Sequence, residues 1–367
     1  MTETVRKTKK RKGLWWKIPL FIVLGLLLIV LIYAAYLIFS HNRIEDNQPL
    51  TVEGKSQQTV IQTGQEYTAI TYNIGFGAYT PDFTFFMDGG TQSWAKSKES
   101  VLHCINADIA LLQEQKADIL LLQEVDFNST RSHHVDEVQM IRDAFGEMSS
   151  TLAVNYHSAF LFYPLYQPHG ASNAGLLTMS NTQITDGLRR SLPIAESLSR
   201  FIDLDRCYAV NRIRTDNDKE LVVFNVHTSA YGTNGDLQQQ QLSKLFADMQ
   251  QEYEKGNYVL CAGDFNHDFV GNSKEIFNKE VPAQYTWAAA FPDAMIPAHF
   301  NKLTNYASGI TTPSCRNSDK PYGEDCFTLT VDGFIVSDNL DVTYMDVMDT
   351  GFAYSDHNPV KLTFRLP

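Results

Sequence analysis

The strongest constraint on how this chain folds is an apolar run near its N-terminus. Ile18 to Phe39 comprises 22 residues without a charged side chain. At about 1.5 Å of rise per residue, a helix of this length crosses the roughly 30 Å hydrocarbon core of a bilayer. Trp15 and Trp16 precede the run, and aromatic rings of this kind favour the membrane interface. The sequence therefore predicts a transmembrane anchor over residues 18–39.

The charges on either side of the run predict its orientation. Seven Lys and Arg residues lie among residues 1–17, whereas only Arg43 precedes Glu45 and Asp46 on the other side. Because positive residues stay in the cytoplasm, we predict a basic cytoplasmic tail over residues 1–17. The chain is then a single-pass protein of the cell membrane with its remaining residues on the extracellular side. The alternative is a cleaved signal peptide, but the run is longer than a typical signal and shows no clean cleavage site.

The chain beyond the anchor is acidic. The whole chain has 30 basic and 42 acidic residues, and the first 46 residues hold eight of the basic and three of the acidic ones. The rest of the chain therefore has 22 basic and 39 acidic residues, a net charge of −17. A protein that grips long nucleic acid usually carries a basic stripe. Nucleic acid is therefore a disfavoured partner, although a nuclease that binds single phosphodiesters through metal ions stays open. Nothing in the sequence indicates an obligate protein partner.

The remaining pattern predicts one α/β domain over residues 67–367, preceded by a polar linker over residues 40–66 that lifts the domain off the membrane. Short apolar runs alternate with amphipathic helices, which is typical of central sheets covered by helices. The predicted strands are Tyr67–Ile74, Asp118–Gln123, Glu220–His227, Tyr258–Ala262, Thr328–Val336 and Val360–Phe364. The predicted helices are Trp94–Gln115 and Leu237–Tyr253.

Two of the five cysteines, Cys315 and Cys326, bracket a polar loop. In an extracellular domain they could close a disulfide, and the sequence leaves open whether they do. The other three lie in apolar or strand-like surroundings, so we predict buried thiols.

A short internal echo poses a choice between two glutamates. Ala-Asp-Ile-Ala-Leu-Leu-Gln-Glu114 resembles Ala-Asp-Ile-Leu-Leu-Leu-Gln-Glu124. The first copy continues a helical period, whereas the second is an uninterrupted apolar run typical of a buried strand. Carboxylates at the ends of buried strands form sites in layered α/β folds. We therefore predict that Glu124 is a ligand and that Glu114 ends a helix.

Polar groups follow or end the predicted strands: Asn73, Glu124, His227, the Gly-Asp-Phe-Asn motif ending at Asn266, Asp332, and the Ser-Asp-His-Asn-Pro motif around His357. Each alone is consistent with a turn or a structural residue. In this order they resemble the endonuclease/exonuclease/phosphatase superfamily, which includes nucleases related to deoxyribonuclease I, inositol-polyphosphate phosphatases and bacterial sphingomyelinases. The resemblance runs from about Tyr67 onward, and the two motifs are its most specific parts. It implies a four-layer α/β/β/α sandwich.

The resemblance also implies a metal site. Glu124 would be the principal ligand with Asn73 beside it, and Asp356 would complete the metal shell or a polar network. Mg²⁺ prefers oxygen ligands and needs only one or two carboxylates, so Mg²⁺ is the expected cofactor and Mn²⁺ is an alternative.

By the same resemblance, His357 is the general base on the attacking water and Asp332 orients its imidazole. Asp264 and Asn266 would contact the nucleophile and the phosphate, and His227 would donate a hydrogen bond to a phosphate oxygen. The implied activity is metal-dependent hydrolysis of a phosphoester by in-line attack of an activated water.

Two further residues are candidates for substrate binding. Asn173 matches a family segment in which an amide contacts the phosphate region. Arg131 follows Glu124 closely and could bind phosphate bidentately or simply pair with Asp126, and both alternatives stay open.

The substrate stays open as well. The inositol-phosphatase motif Pro-x-Trp-Cys-Asp-Arg-x-Leu has no counterpart near Asp332, which makes an inositide less favoured. Two aromatic-rich segments, Gly75–Trp94 and Phe160–Tyr166, could hold a lipid headgroup or pack the core. We favour a lipid-linked or small phosphoester over an extracellular nuclease substrate. A non-catalytic surface binding protein is a weaker alternative, because every position that the mechanism needs holds an acceptable residue.

Overall fold

The computed structural model describes residues 17–230, 235–277 and 288–367. The chain forms two compact units, one ending at Asn42 and one spanning Arg43–Pro367. The predicted cytoplasmic tail lies outside the described residues except for Lys17. Helix α1, Lys17–Ser40, contains the whole apolar run and buries none of its residues. Among the described residues it is the helix that is long and apolar enough to cross a membrane.

The second unit contains two large sheets and four helices among its described residues. The helices are α2 Lys98–Gln115, α3 Glu137–Ala144, α4 Gly235–Glu254 and α5 Ser273–Phe277. The strands are β1 Gln48–Pro49, β2 Glu66–Asn73, β3 Ile119–Asp126, β4 Ser149–His157, β5 Asn173–Ser180, β6 Ile184–Ser191, β7 Cys207–Arg214, β8 Glu220–His227, β9 Tyr258–Asp264, β10 Phe300–Lys302, β11 Cys315–Arg316, β12 Thr328–Leu329, β13 Asp332–Ser337, β14 Asp341–Val347 and β15 Val360–Arg365.

The six-stranded sheet has the order β14-β15-β2-β3-β5-β4, and the seven-stranded sheet has the order β1-β6-β7-β8-β9-β13-β10. Most neighbours are antiparallel, but β2 with β3 and β8 with β9 are parallel pairs. The carboxyl ends of both strands of each parallel pair therefore meet at one edge of their sheet.

The two sheets pack face to face, and helices cover both outer faces. Successive strand residues point to opposite faces, so Leu120 packs with Ile105 of α2 while Leu121 packs with Leu260 of the other sheet. On the far side, Leu245 of α4 packs on β8 and β9. The four-layer α/β/β/α sandwich is confirmed.

The prediction of a free linker over residues 40–66 is wrong for most of its length. Arg43 Nε lies 3.1 Å from Asp205 Oδ1, and Asp46 Oδ1 accepts a hydrogen bond of 2.8 Å from the Ser191 amide. Strand β1 pairs with β6, and Ile61 is 1 % exposed. The segment is polar because it runs along the outside of the domain, where its polar groups bond to the domain surface. Helix α1 ends at Ser40 and the folded unit begins at Arg43, so two residues of this stretch, 41 and 42, lie between them in sequence.

Most predicted elements are present, with one clear exception. Thr328–Val336 is not one strand, because Thr328–Leu329 pairs with β11 whereas Asp332–Ser337 pairs with β9 in the seven-stranded sheet. The break places Asp332 at the first position of β13, directly opposite Asp264.

The disulfide between Cys315 and Cys326 is not formed, and all five cysteines are free and buried. Cys315 Sγ lies 3.6 Å from His357 Nε2, whereas Cys326 Sγ donates to the Pro321 carbonyl at 3.2 Å. The two thiols therefore face different partners. The prediction of three buried thiols elsewhere is confirmed.

Candidate active site

The polar groups that end the predicted strands converge at one edge of the sandwich. Asn73 ends β2 and Glu124 lies near the end of β3 in the six-stranded sheet. His227 ends β8 and is paired with Asp264 at the end of β9. Asp332 is the next neighbour of Asp264 in the seven-stranded sheet. The site therefore draws on both sheets.

Glu124 reaches this edge because β3 is irregular there. The pairing of β3 with β5 shifts register between Leu122 and Val125, and Glu124 has a φ of +55°. Such bulges re-aim a side chain, and left-handed backbone at a residue other than glycine costs about 1–3 kcal/mol. The result is a carboxylate that keeps 23 % of its side-chain surface exposed between buried neighbours. Glu114, by contrast, lies near the exposed end of α2, as predicted.

Asn73 joins the acidic groups of the two sheets. Its Nδ2 donates to Asp264 Oδ2 at 3.1 Å and lies 3.4 Å from Glu124 Oε1. Its Oδ1 accepts the Gly75 amide at 3.0 Å, which fixes the orientation of the carboxamide. The amide side chain thus holds both carboxylates at the seam between the sheets.

His357 is held by two carboxylates. Its Nδ1 lies 2.8 Å from Asp332 Oδ2, and its Nε2 lies 3.8 Å from Asp264 Oδ2. Ser314 Oγ also donates to Asp332 Oδ2, at 2.7 Å. Burial alone would lower the pKa of His357, but the Asp332 carboxylate raises that pKa well above its ordinary value. This arrangement stabilises an imidazolium and leaves Nε2 facing the rest of the site.

The pKa values of His227 and Asp264 are shifted so that each group favours its neutral form. Burial, followed by the positive charges of Arg206 and His357, lowers the pKa of His227 well below its ordinary value. Burial raises the pKa of Asp264 to about 7, with a contribution from Asp332 that His357 opposes. His227 Nε2 lies 3.4 Å from Asp264 Oδ2. The site thus contains one histidine poised to be neutral and one poised to be charged, which is typical of acid–base sites.

Asn266 supports this cluster through its backbone and side chain. Its amide donates to Asp264 Oδ1 at 2.9 Å, and its Nδ2 donates to the Thr228 carbonyl at 2.9 Å. Its φ of +49° places it in a tight turn. Asn266 therefore positions Asp264 and the segment after His227.

Arg131 pairs with Asp126, which is one of the two alternatives left open by the sequence. Its Nε and Nη2 bind the two Asp126 oxygens at 3.1 and 2.8 Å, and its Nη1 lies 3.3 Å from Glu124 Oε2. The guanidinium also lies 3.9 Å from the ring centroid of Phe76. Because its fork is occupied, we assign Arg131 to the positioning of Glu124 rather than to bidentate binding of phosphate.

Asn173 lies at the same edge, at the start of β5, but beside the cluster. Its Nδ2 donates to the Asn128 carbonyl at 2.8 Å, and its own carbonyl accepts the Phe127 amide at 3.0 Å. It is partly exposed. Its role in substrate binding stays a prediction.

Asp356 is buried, and its carboxylate interacts electrostatically with that of Glu124. Burial raises the pKa of Asp356 to about 6, and the Glu124 charge raises it further, while His357 and Arg316 oppose the shift. A divalent cation stabilises a carboxylate whose charge is opposed by a neighbouring carboxylate. Glu124 and Asp356 present carboxylate oxygens, so these two residues fit Mg²⁺ or Mn²⁺. Asn73 turns its Nδ2 towards Glu124 and its Oδ1 towards the Gly75 amide, so its role as a metal ligand stays a prediction.

A second grouping could also hold an ion. One ligand atom from each of Asp264, Asp332 and His357 lies within 4.8 Å of the others. Asp332 Oδ2, however, already accepts both His357 Nδ1 and Ser314 Oγ. We therefore assign this grouping to proton handling.

Sequence reasoning missed two buried arginines near the cluster. Arg206 and Arg316 are 6 % and 1 % exposed. In each, Nε and Nη1 have no hydrogen-bond partner within the described part of the chain. Their charges act on His227 and Asp356, respectively. Nothing in the local sequence distinguishes them from surface arginines, and only the fold shows that they are buried.

The geometry agrees with the comparison to protein families. The model of the endonuclease/exonuclease/phosphatase family matches residues 70–357. The chain belongs to this family. Members of the family are hydrolases that act on phosphoester bonds and typically depend on divalent metal ions. No curated protein sequence matches the chain.

Solved structures of family members share the fold. The endonuclease/exonuclease/phosphatase from Beutenbergia cavernae has a TM-score of 0.55 at 16 % identity, over 82 % of this chain and 72 % of that one. The family protein from Leptotrichia buccalis has a TM-score of 0.54 at 13 % identity, over 82 % and 99 %. ANGEL2, a 2′,3′-cyclic phosphatase solved with adenosine-2′,3′-vanadate, has a TM-score of 0.53 at 14 % identity, over 89 % and 99 %.

Proposed function

We propose that this family member is a divalent-metal-dependent phosphoesterase in which His357 activates the attacking water. The observation that carries the proposal is the position of His357. Its Nδ1 lies 2.8 Å from Asp332 Oδ2, and its Nε2 lies 3.8 Å from Asp264 Oδ2, the oxygen that also accepts from Asn73 Nδ2. In its neutral form this imidazole can accept a proton at Nε2, and Asp332 stabilises the imidazolium that results.

Glu124 and Asp356 would hold Mg²⁺, with Mn²⁺ as the alternative. The bound cation would neutralise the negative charge that develops on the phosphoryl oxygens. Arg131 and Asn73 keep the Glu124 carboxylate in place for this task. Asp264, positioned by the Asn266 amide, would orient the water beside His357 Nε2.

Cationic and neutral donors at the site suit a phosphate group. His227 is held neutral by its surroundings, and its Nδ1 has no hydrogen-bond partner in the described ranges. Arg206, whose charge acts on His227, is buried, and its Nε and Nη1 have no hydrogen-bond partner in the described ranges. Guanidinium groups form strong charge-assisted hydrogen bonds to phosphate oxygens, so Arg206 is a further candidate for substrate binding.

We further propose that α1 anchors the enzyme as a single-pass membrane protein with its catalytic unit on the extracellular side. The uncharged run in α1 and the basic residues before it support this topology. The net charge of −17 beyond the first 46 residues, counted from the sequence, favours a small or lipid-linked phosphoester over long nucleic acid. Extracellular nuclease activity is the alternative within the same chemistry.

The proposal is tested with the full chain purified in detergent. Hydrolysis is measured on plasmid DNA, RNA, sphingomyelin, phosphatidylinositol phosphates and a chromogenic phosphodiester, each with Mg²⁺, Mn²⁺ or EDTA. The internal echo supplies a matched pair, Glu124→Gln and the control Glu114→Gln. We expect metal-dependent turnover that Glu124→Gln removes and Glu114→Gln preserves. Turnover that survives EDTA or Glu124→Gln would refute the metal site, and a folded chain inactive on the whole panel would favour a binding protein.

The topology is tested on intact cells. A protease added outside should release the catalytic unit, because the proposed orientation exposes it. Complete protection of the unit, with cleavage only after lysis, would contradict an extracellular location.

A further inference from the structure

The loop between β4 and β5 exposes a cluster of large apolar side chains. Over residues 158–168, called the aromatic loop below, Phe162 is 51 % exposed, Tyr163 72 %, Leu165 84 % and Tyr166 68 %. Single exposed apolar residues are ordinary, but a contiguous group of them marks a binding surface. Met87, 55 % exposed, lies on a neighbouring segment, where the adjacent Phe86 ring is 5.9 Å from that of Tyr163.

The aromatic loop is fastened at its base. Trp94 Nε1 donates to the Pro168 carbonyl at 2.7 Å, and Ser93 Oγ donates to the Gln167 carbonyl at 2.5 Å. Tyr166 Oη donates to the Thr91 carbonyl at 2.8 Å. The exposed rings are therefore presented by a defined structure.

The aromatic loop stands beside the candidate active site. It forms most of the connection from His157 to Asn173, which are paired residues at the facing ends of β4 and β5. Ala174, the next residue, pairs with Asp126, two positions beyond Glu124. A surface that binds this loop is consequently brought to the catalytic edge.

The chemistry of the loop selects a neutral, partly apolar partner. Residues 158–168 contain no charged side chain, although the chain after residue 46 is strongly acidic. Tyrosine and phenylalanine rings favour the interface between lipid headgroups and hydrocarbon. Two residues separate α1 from the folded unit in sequence, so a bilayer crossed by α1 lies within reach of a short connection. Acidic headgroups would be repelled by the domain, whereas zwitterionic ones would not.

We infer that the aromatic loop inserts into the interface of a zwitterionic bilayer and holds the catalytic edge against phosphoesters at its surface. The second half of this statement rests on the proposed phosphoesterase function, and the first half does not. Its readout is therefore separate from turnover.

Insertion is measured with an environment-sensitive fluorophore on a single introduced cysteine. All five native cysteines are buried, so Leu165→Cys can be labelled selectively in the folded full chain. The control is Gln251→Cys, an exposed position on α4 just before the start of β9, at the end of the sheet away from Asp264. Both proteins are placed in phosphatidylcholine nanodiscs and quenched with iodide or with a lipid carrying a spin label in its acyl chain.

We expect the label at 165 to be quenched by the spin-labelled lipid and shielded from iodide, and the label at 251 to behave in the opposite way. Replacing about a third of the phosphatidylcholine with phosphatidylserine should weaken quenching at 165. Iodide quenching at 165 equal to that at 251, without lipid quenching, would overturn the inference. Shielding from iodide without lipid quenching would also overturn it, because a second copy or another protein would then cover the loop.

Turnover supplies the link to function. The double variant Phe162→Ser/Leu165→Ser should lose roughly tenfold in activity on a phosphodiester lipid in nanodiscs, because apolar contact area is lost. Its activity on a soluble chromogenic phosphodiester should stay at the parental level. Equal loss on both substrates would contradict a role in bilayer contact. Insertion at 165 in a chain without phosphoesterase activity would refute the proposed function and leave the surface assignment intact.

Discussion

Two aromatic segments flank the same catalytic edge and have opposite exposures. Over residues 75–86, Phe76 and Phe83 are fully buried with their ring centroids 6.5 Å apart. In the aromatic loop, Tyr163 and Leu165 are mostly exposed. The first segment lies between α2 and the guanidinium of Arg131, whereas the second has no layer above it among the described residues. Two segments of similar composition therefore have different roles. The buried segment packs beneath the site, and the exposed segment faces solvent.

The largest expected effect concerns the site that both segments adjoin. His357→Ala should lower turnover of a soluble phosphodiester by about 10²–10⁴-fold, because it removes the proposed general base. Steady-state kinetics on the purified full chain measures this loss. His299→Ala, at a histidine whose side chain is 54 % exposed, is the control and should be silent. Parental turnover in His357→Ala would make the base assignment wrong.

The buried segment should carry the next largest effect. Phe76→Ala should lower the free energy of unfolding by about 3–5 kcal/mol, because it opens a cavity under Arg131. Urea denaturation followed by circular dichroism measures the change. Phe76→Leu, which keeps much of the volume, should lose less. A loss below about 1 kcal/mol for Phe76→Ala would show that this segment does not support the domain.

Acid sensitivity should arise away from both segments. Burial opposes ionisation of Glu252, but hydrogen bonds from Arg212 and Lys255 outweigh burial and lower its pKa from 4.5 to about 2. A lowered pKa stabilises the folded state above pH 4.5, and this contribution disappears as the pH falls from 4.5 towards 2. We expect Glu252→Gln to flatten the pH dependence of unfolding in this window by about 1–2 kcal/mol, allowing for solvent screening. An unchanged pH profile would contradict this assignment.

The smallest effect on stability should come from the aromatic loop. Leu165→Ser should change the free energy of unfolding by no more than about 0.5 kcal/mol, because the side chain is exposed. The same denaturation experiment as for Phe76→Ala gives a direct contrast. A cost for Leu165→Ser comparable to that of Phe76→Ala would remove the distinction between the two segments.

The sequence predicted the fold well where a strand is buried on both faces. Glu220–His227 coincides with β8, since its uninterrupted apolar run has no alternative pattern. Strand β4, Ser149–His157, was missed because serine, threonine and asparagine interrupt its apolar residues. One of these side chains bonds across the sandwich, since Thr151 Oγ1 donates to Asn211 Oδ1 at 2.6 Å. Such pairing depends on residues distant in sequence and leaves no local signal.

The convergence of the site was predictable to a similar degree. Residues at the ends of apolar runs, such as His227 and Asp264, come together because parallel strands end at the same edge of a sheet. Ser314, which binds Asp332, lies in a loop with no pattern of its own. The aromatic segments could not be separated by composition, because burial follows from what packs above each one. The catalytic roles of the site residues stay predictions until turnover is measured.

The order of strands in the six-stranded sheet has a consequence for biosynthesis. Strand β15, the last in the chain, pairs with β2, the first strand of that sheet, and His357 lies three residues before β15. A nascent chain lacking this segment has neither the finished sheet nor the imidazole that Asp332 binds. During translation the domain should therefore remain inert and incompletely folded until the ribosome has added and released the residues through Arg365. Nascent chains would acquire activity only after β15 has left the ribosome, which makes turnover a sensitive report of completed folding of the domain.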